Sequence, residues 1–168
     1  DRLIHRLALG SKLVAETSFI CECALYSRPG QCSDAIYVTG LARSGTTALM
    51  RSLHGSEQFA SLTYSDMPFV LAPNLWAGIS ARYPKPRFLI DRSHGDGIKI
   101  DYDSPEALEE VFWRVRCGED YIRSDCLTVH QATLEVLEEY RKYRDLVCLK
   151  HGKKRYLAKN NNLLLRLA

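Results

Sequence analysis

The chain lacks any apolar run long enough to cross a bilayer. Its greasiest stretch, MPFVLAPNLWAGI at 67–79, is broken by two prolines and an asparagine and falls short of the roughly 20 residues a spanning helix needs. A heavy charge of one sign is also missing. The net charge of +3 is not the concentrated basic load of a dedicated nucleic-acid binder. The single local cluster, KHGKKRYLAK at 150–159, reads equally as a solvated helix end or as an anion-attracting rim. Among six cysteines and five histidines there is no Cys-x-x-Cys pair and no pair of neighbouring histidines, so no zinc set is complete. Cys21, Cys23 and Cys32 come nearest to one. With Cys117, Cys126 and Cys148 they show no regular framework, which points to reduced thiols in a cytoplasmic protein. The opening stretch, DRLIHRLALGSKLVAETSF, lacks an initiator methionine and the unbroken apolar core of a signal peptide. No internal repeat or low-complexity segment appears.

What is present suffices for one ordinary core, with 46% hydrophobic residues in a chain of 168. The expectation is a single domain over 1–168, with a helical segment at 1–33 and an α/β core at 34–168. Apolar periodicity predicts a helix over 2–26, weakened at Gly10. AIYVTG (35–40) suits a buried parallel strand, and TTALMRSLHG continues from Thr46 as a helix that Gly55 stops. Further strands are expected at 59–64, 87–91 and 154–159, and a short helix at 75–80. Ser104 and Pro105 read as the cap and first residue of another helix. Residues 126–150 read as the longest helix, with Leu127, Leu134, Leu137 and Val147 inward. A helix begins after Asn160 and stops at once at Ala168, so the natural protein is expected to continue.

The chemistry centres on VTGLARSGTTALMRSL. A strand running into a glycine-bearing turn and then a helix aims backbone N–H groups at one point, where the helix dipole adds positive charge. Gly40 permits the turn, and Gly45 lets the backbone approach an oxygen. Ser44, Thr46 and Thr47 add hydroxyls. The spacing is that of the nucleotide-triphosphatase loop, but Thr46 stands where that loop has its phosphate-reaching lysine. Arg43, inside the turn, offers a planar fork for a tetrahedral oxyanion. Such a loop suits a donor with one phosphate and one weakly charged transferable group, such as a sulfuryl group, and needs no metal.

This segment resembles the 5′-phosphosulfate loop of the PAPS-dependent sulfotransferases, especially the bacterial group similar to the tyrosylprotein sulfotransferases. There the loop reads Gly-x-Pro-Arg-Ser-Gly-Thr-Thr, with Ala42 here in place of the proline. RYLAKNNNLLLRL (155–167) is similar to the family's strand-to-helix segment carrying a lysine, and HGDGIKIDYDSPEALEEVFW (94–113) looks like an insert of some bacterial members. The resemblance implies a P-loop-containing three-layer α/β fold with a parallel sheet. It implies sulfuryl transfer from PAPS, 3′-phosphoadenosine 5′-phosphosulfate, to a hydroxyl acceptor, without a metal. The loop Gly40, Leu41, Ala42, Arg43, Ser44, Gly45, Thr46 and Thr47 would hold the donor, Arg43 and Lys159 would stabilise charge during transfer, and Asp66 would take the acceptor's proton.

His94 and Asp96 are rival bases, and Asp66 reads as well as a helix cap. Met67, Phe69, Leu75 and Trp76 are candidates for the wall of a small-molecule or carbohydrate acceptor site. The family's 3′-phosphate groups have no counterpart here and would come from a further segment or a partner chain. Two other readings remain open at this stage. One is a P-loop domain, truncated or degenerate, that only binds; the other is a magnesium-dependent nucleotide kinase or NTPase, with Asp91 at the end of RFLID as metal ligand.

Overall fold

The computed structural model describes residues 11–41, 43–82, 90–91 and 99–166. At its centre β1 (Asp34–Val38) and β5 (Arg155–Lys159) run parallel, from Asp34 opposite Arg155 to Val38 opposite Lys159. On the other side of β5 lies β2 (Phe59–Ala60), also parallel, giving the order β1-β5-β2. Parallel neighbours need crossovers rather than hairpins. Helix α2 (Thr46–His54) joins β1 to β2, and α5 (Leu134–His151) leads into β5.

Alternation along β5 decides what each face meets. Tyr156 and Ala158 point into an aromatic core shared with α1 (Lys12–Tyr26), α4 (Glu110–Tyr121) and α5. Leu157 points the other way, onto Val38, Phe59 and Met50 of α2. The α/β expectation with a parallel sheet is therefore met, with three strands in that sheet among the described residues and helices packed on both faces. The larger core is built from rings: Phe112 stacks on Tyr143 with centroids 5.3 Å apart, and Trp113 lies 4.6 Å from Tyr140. Such pairs add about 1 kcal/mol each beyond the area they bury.

Several sequence expectations are corrected. Only Val38 of β1 is buried, because the described sheet leaves this strand on its outer edge. The strand expected over 59–64 ends at Ala60. Thr63 and Asp66 then form a reciprocal cap that curls Tyr64–Asp66 into a 3-10 turn. Ser104 caps no helix, since its hydroxyl is bonded to Asp101. Pro105 bridges to Thr63, and α4 starts only at Glu110. The long helix begins at Leu134, where the Thr133 hydroxyl accepts from Val136 N at 3.4 Å. Leu127 is bridged to Ile122 instead. Leu134 is 81% exposed, while Tyr140, Tyr143, Leu146, Val147 and Cys148 form the inner face. Of the strand expected at 87–91, Ile90–Asp91 form β3, paired antiparallel with β4 (Lys99–Ile100) and apart from the parallel sheet. Helix α3 (Pro73–Ser80) starts two residues before its expected position, and Asn161–Arg166 form a 3-10 helix.

One buried carboxylate locks α1 to α3. Glu22 is fully buried and accepts from Asn74 N at 2.8 Å, Asn74 Nδ2 at 2.7 Å and Leu75 N at 2.9 Å. These are donors at the uncapped start of α3, where the dipole also favours an anion. Glu22→Ala leaves them without acceptors. It is expected to lower the unfolding free energy by about 3 kcal/mol, read from the urea midpoint at unchanged slope.

A second consequence concerns acid. Burial, and then the neighbouring Lys150 ammonium, push His151 down from 6.5 to about 4. Burial lowers His54 and His130 as well. Between the unfolded and folded values the unfolded chain binds the proton and the folded chain does not, so stability falls as pH falls through that window. Above it the stability is fully present. For His151 alone the loss between pH 7 and pH 5 is about 2 kcal/mol. His151→Gln should flatten the slope of unfolding free energy against pH in this range.

Candidate functional site

The loop after β1 is shaped by three residues with positive φ: Gly40 at 153°, Arg43 at 65° and Gly45 at 81°. A Cβ on Gly40 would lie 2.9 Å from Ser44 Oγ and 3.2 Å from Thr46 Cγ2, so the turn is too tight there for a side chain. Ser44 closes it, its N–H and hydroxyl both donating to the Leu41 carbonyl at 3.3 Å and 2.7 Å. Gly45 is the N-cap of α2, and no side chain caps that end. The first N–H groups of a helix have no acceptor within it. Here they face the same turn that carries the exposed Arg43.

Lys159 enters this site from the far end of the chain. It closes β5 on the same face as Leu157, and that face packs on α2. Its ammonium donates to Thr47 Oγ1 at 2.8 Å, with the side chain almost fully buried. Four ångströms away, at 4.0 Å, is Glu106 Oε1. The Tyr64 hydroxyl holds Glu106 by donating to Oε2 at 2.7 Å, and Ala107 N donates to Oε1 at 2.9 Å. Thr47, Lys159 and Glu106 thus form one constellation at the carboxyl end of the strands, where ligands of open α/β sheets bind. It combines an open helix N-terminus, an ammonium and a carboxylate, the parts needed to hold an anion and to move a proton nearby.

Glu106 went unnoticed in the sequence, where it passed for an ordinary acid in the first turn of a helix. No pattern marks it, because its partners arrive from Tyr64 and from β5.

Asp66 is not brought to this constellation. It is fully buried, its Oδ2 accepts from Thr63 N at 2.8 Å, and Lys150 Nζ donates to its Oδ1. Lys150 lies in the last turn of α5, which feeds the opening end of β5, whereas Lys159 ends that strand. Met67 packs against the aromatic core. Phe69 and Trp76 pack on each other at 5.3 Å, and Trp76 Nε1 is bonded to the Ser65 carbonyl. Ala42, His94 and Asp96 lie outside the described residues. Asp91 sits on β3, so the strand that would carry a magnesium ligand is not a member of the described parallel sheet.

Gly45→Ala tests the loop without touching its charges. An added Cβ meets nothing nearby, so the cost is conformational, about 1 kcal/mol for a non-glycine residue at this φ. Urea unfolding is expected to show that loss. No family model, no curated protein and no solved structure matches this chain.

Proposed function

We propose that this chain carries the donor-binding and transfer site of a PAPS-dependent sulfotransferase built on a three-layer P-loop fold. The observation that carries the reading is the 2.8 Å bond between Lys159 and Thr47, two motif residues 112 positions apart. Both belong to segments that resemble the family, and a strand-end lysine on the phosphate loop is the arrangement that sulfuryl transfer uses.

The residues present fit the donor. The amides at the start of α2 and the Arg43 guanidinium suit a phosphate joined to a sulfuryl group, with Lys159 beside the bridging oxygen. An acceptor hydroxyl attacks sulfur, and the bond from sulfur to the phosphate oxygen breaks. Lys159 steadies the charge left on that oxygen. Glu106, rather than Asp66, takes the hydroxyl proton, since it is the carboxylate beside Lys159. The products are a sulfate ester and adenosine 3′,5′-bisphosphate. The acceptor is a small molecule or carbohydrate, and the 3′-phosphate contacts come from a further segment or a partner chain.

Adenosine 3′,5′-bisphosphate should raise the thermal midpoint more than ATP with magnesium. A tenfold excess over Kd gives about 1.4 kcal/mol, or a few degrees for a chain this size. Greater stabilisation by ATP with magnesium would favour the kinase reading. Binding without transfer of labelled sulfate to any of a panel of alcohols, phenols and sugars would favour the binding-only reading.

Substitutions separate the roles. Lys159→Met should lower kcat by about 10²–10³, and Glu106→Gln by about 10²–10⁴. Asp66→Asn should chiefly lower stability, by about 3 kcal/mol, because it removes the buried charge that the partly buried Lys150 ammonium pairs with. A Glu106→Gln variant with undiminished kcat removes that residue from the mechanism.

A further inference from the structure

Away from this site, the fold brings two thiols together that no local pattern links. Cys32 lies in the segment entering β1, and Cys148 lies on α5. Cys32 N donates to Asp145 Oδ1 at 2.6 Å, and Gly30 N donates to Asp145 Oδ2 at 3.2 Å. Just beyond, Ser33 N donates to the Lys154 carbonyl at 2.7 Å. Asp145 and Cys148 are three residues apart on one helix and share a face. The segment is therefore pinned on both sides of Cys148, which sets the two thiols close enough that each shifts the other's titration, while the Cys32 thiol itself donates to the Asp34 carbonyl at 3.3 Å.

Their surroundings differ. Cys148 is fully buried in the aromatic core, while Cys32 packs on that core from the half-exposed side. Both thiols are free. The neighbouring Cys148 thiol lowers Cys32 to about 7 against the opposing effect of burial, helped by the Arg144 guanidinium. The same neighbour, Cys32, together with its own burial pushes the Cys148 thiol up. An accessible thiolate backed by a protonated, buried thiol divides the labour of oxidation between an attacking and a resolving residue.

We propose that Cys32 and Cys148 are a peroxide-oxidisable pair that closes to a reversible disulfide between the entrance to β1 and α5. The Cys32 thiolate attacks one oxygen of hydrogen peroxide. The O–O bond breaks, and the released hydroxide takes a proton to leave as water, so that Cys32 becomes a sulfenic acid. The Cys148 sulfur then attacks the Cys32 sulfur, and the hydroxyl group departs with the Cys148 proton as a second water. Two thiols and one peroxide become one disulfide and two waters, and an added dithiol reverses the change. The disulfide staples down the segment that leads into the strand feeding the Gly40 loop.

The test treats the folded full chain with hydrogen peroxide, caps remaining thiols with N-ethylmaleimide and maps peptides without reduction. The expected result is a mass lower by two hydrogens before capping, a Cys32 to Cys148 cross-linked peptide, and loss of that link with dithiothreitol. At neutral pH iodoacetamide should label Cys32 about tenfold faster in the folded chain than in the urea-unfolded chain, in line with its larger thiolate fraction when folded. Cys32→Ser, a change at the half-exposed position, should abolish the link at unchanged far-ultraviolet circular dichroism. Cys148→Ala should leave a Cys32 sulfenic acid that dimedone traps. A disulfide joining other cysteines, or Cys32 advancing to sulfinic acid while Cys148 remains open to capping after denaturation, overturns the proposal.

Discussion

Glu109 is the buried charge on which the arrangement depends. It is 1% exposed, and a lone carboxylate at such a place is unfavourable unless protein donors replace water. Four side chains do so. Trp113 Nε1 and Asn160 Nδ2 donate to Oε1 at 3.0 Å and 3.2 Å, and the Tyr140 and Tyr156 hydroxyls donate to Oε2 at 2.7 Å and 3.3 Å. The donors come from α4, α5, β5 and the residue after β5, so one anion ties together elements that are far apart in the chain. Burial, reinforced by neighbouring groups that include Glu109, holds Tyr140 and Tyr156 well above the usual phenol range and keeps them as donors. The network also reaches β1, because the Tyr140 and Tyr37 hydroxyls meet at 3.2 Å and Arg144 donates to Tyr37.

This network fixes the candidate site from behind. Asn160 is held by its side chain to Glu109 and by its N–H to the Val38 carbonyl at 3.0 Å. The strand end is thereby set, and alternation turns Lys159 toward α2. Glu109 lies three residues after Glu106, in the tight turns that open α4, where Leu108 N donates to the Glu106 carbonyl at 2.8 Å. Anchoring Glu109 therefore also limits where Glu106 can lie. Lys159 and Glu106 are thus both positioned from the same buried carboxylate.

How much of this could be read in advance followed from how local each signal is. The glycine spacing at 40–45, the β-rich run before it and the lysine at the end of 155–159 are short-range patterns, and β1, α2 and β5 formed where those patterns placed them. Glu22, Glu106 and Glu109 carry no such mark. In a linear reading each is a helix acid facing water, and only tertiary contacts turn them into a cap, a site carboxylate and a core hub. Asp66 shows the converse. Its position after the second strand matched an expected base, yet the cap it forms with Thr63 and the Lys150 ammonium occupy it. On the inner face of α5 Val147 is buried as expected, but Leu127, Leu134 and Leu137 are exposed. Tyr140 and Tyr143 took that place, since their rings fill the aromatic cluster while their hydroxyls reach Glu109 and the Val70 carbonyl.

The constellation also limits how an anion can be admitted. In the structure the Lys159 ammonium is held between the Thr47 hydroxyl and the Glu106 carboxylate, so part of its charge is already offset. A dianionic terminal phosphate would sit close to Glu106 and meet repulsion along with attraction, whereas a sulfuryl group brings only one negative charge. Thr46, standing where a second ammonium would be needed to outweigh that repulsion, adds a hydroxyl and no charge. On the proposed function, the carboxylate beside the lysine is a filter on donor charge as well as a proton acceptor, one that favours the weakly charged sulfuryl end over a triphosphate. On that proposal the preference arises from three side chains and needs no contact with the adenine or the ribose.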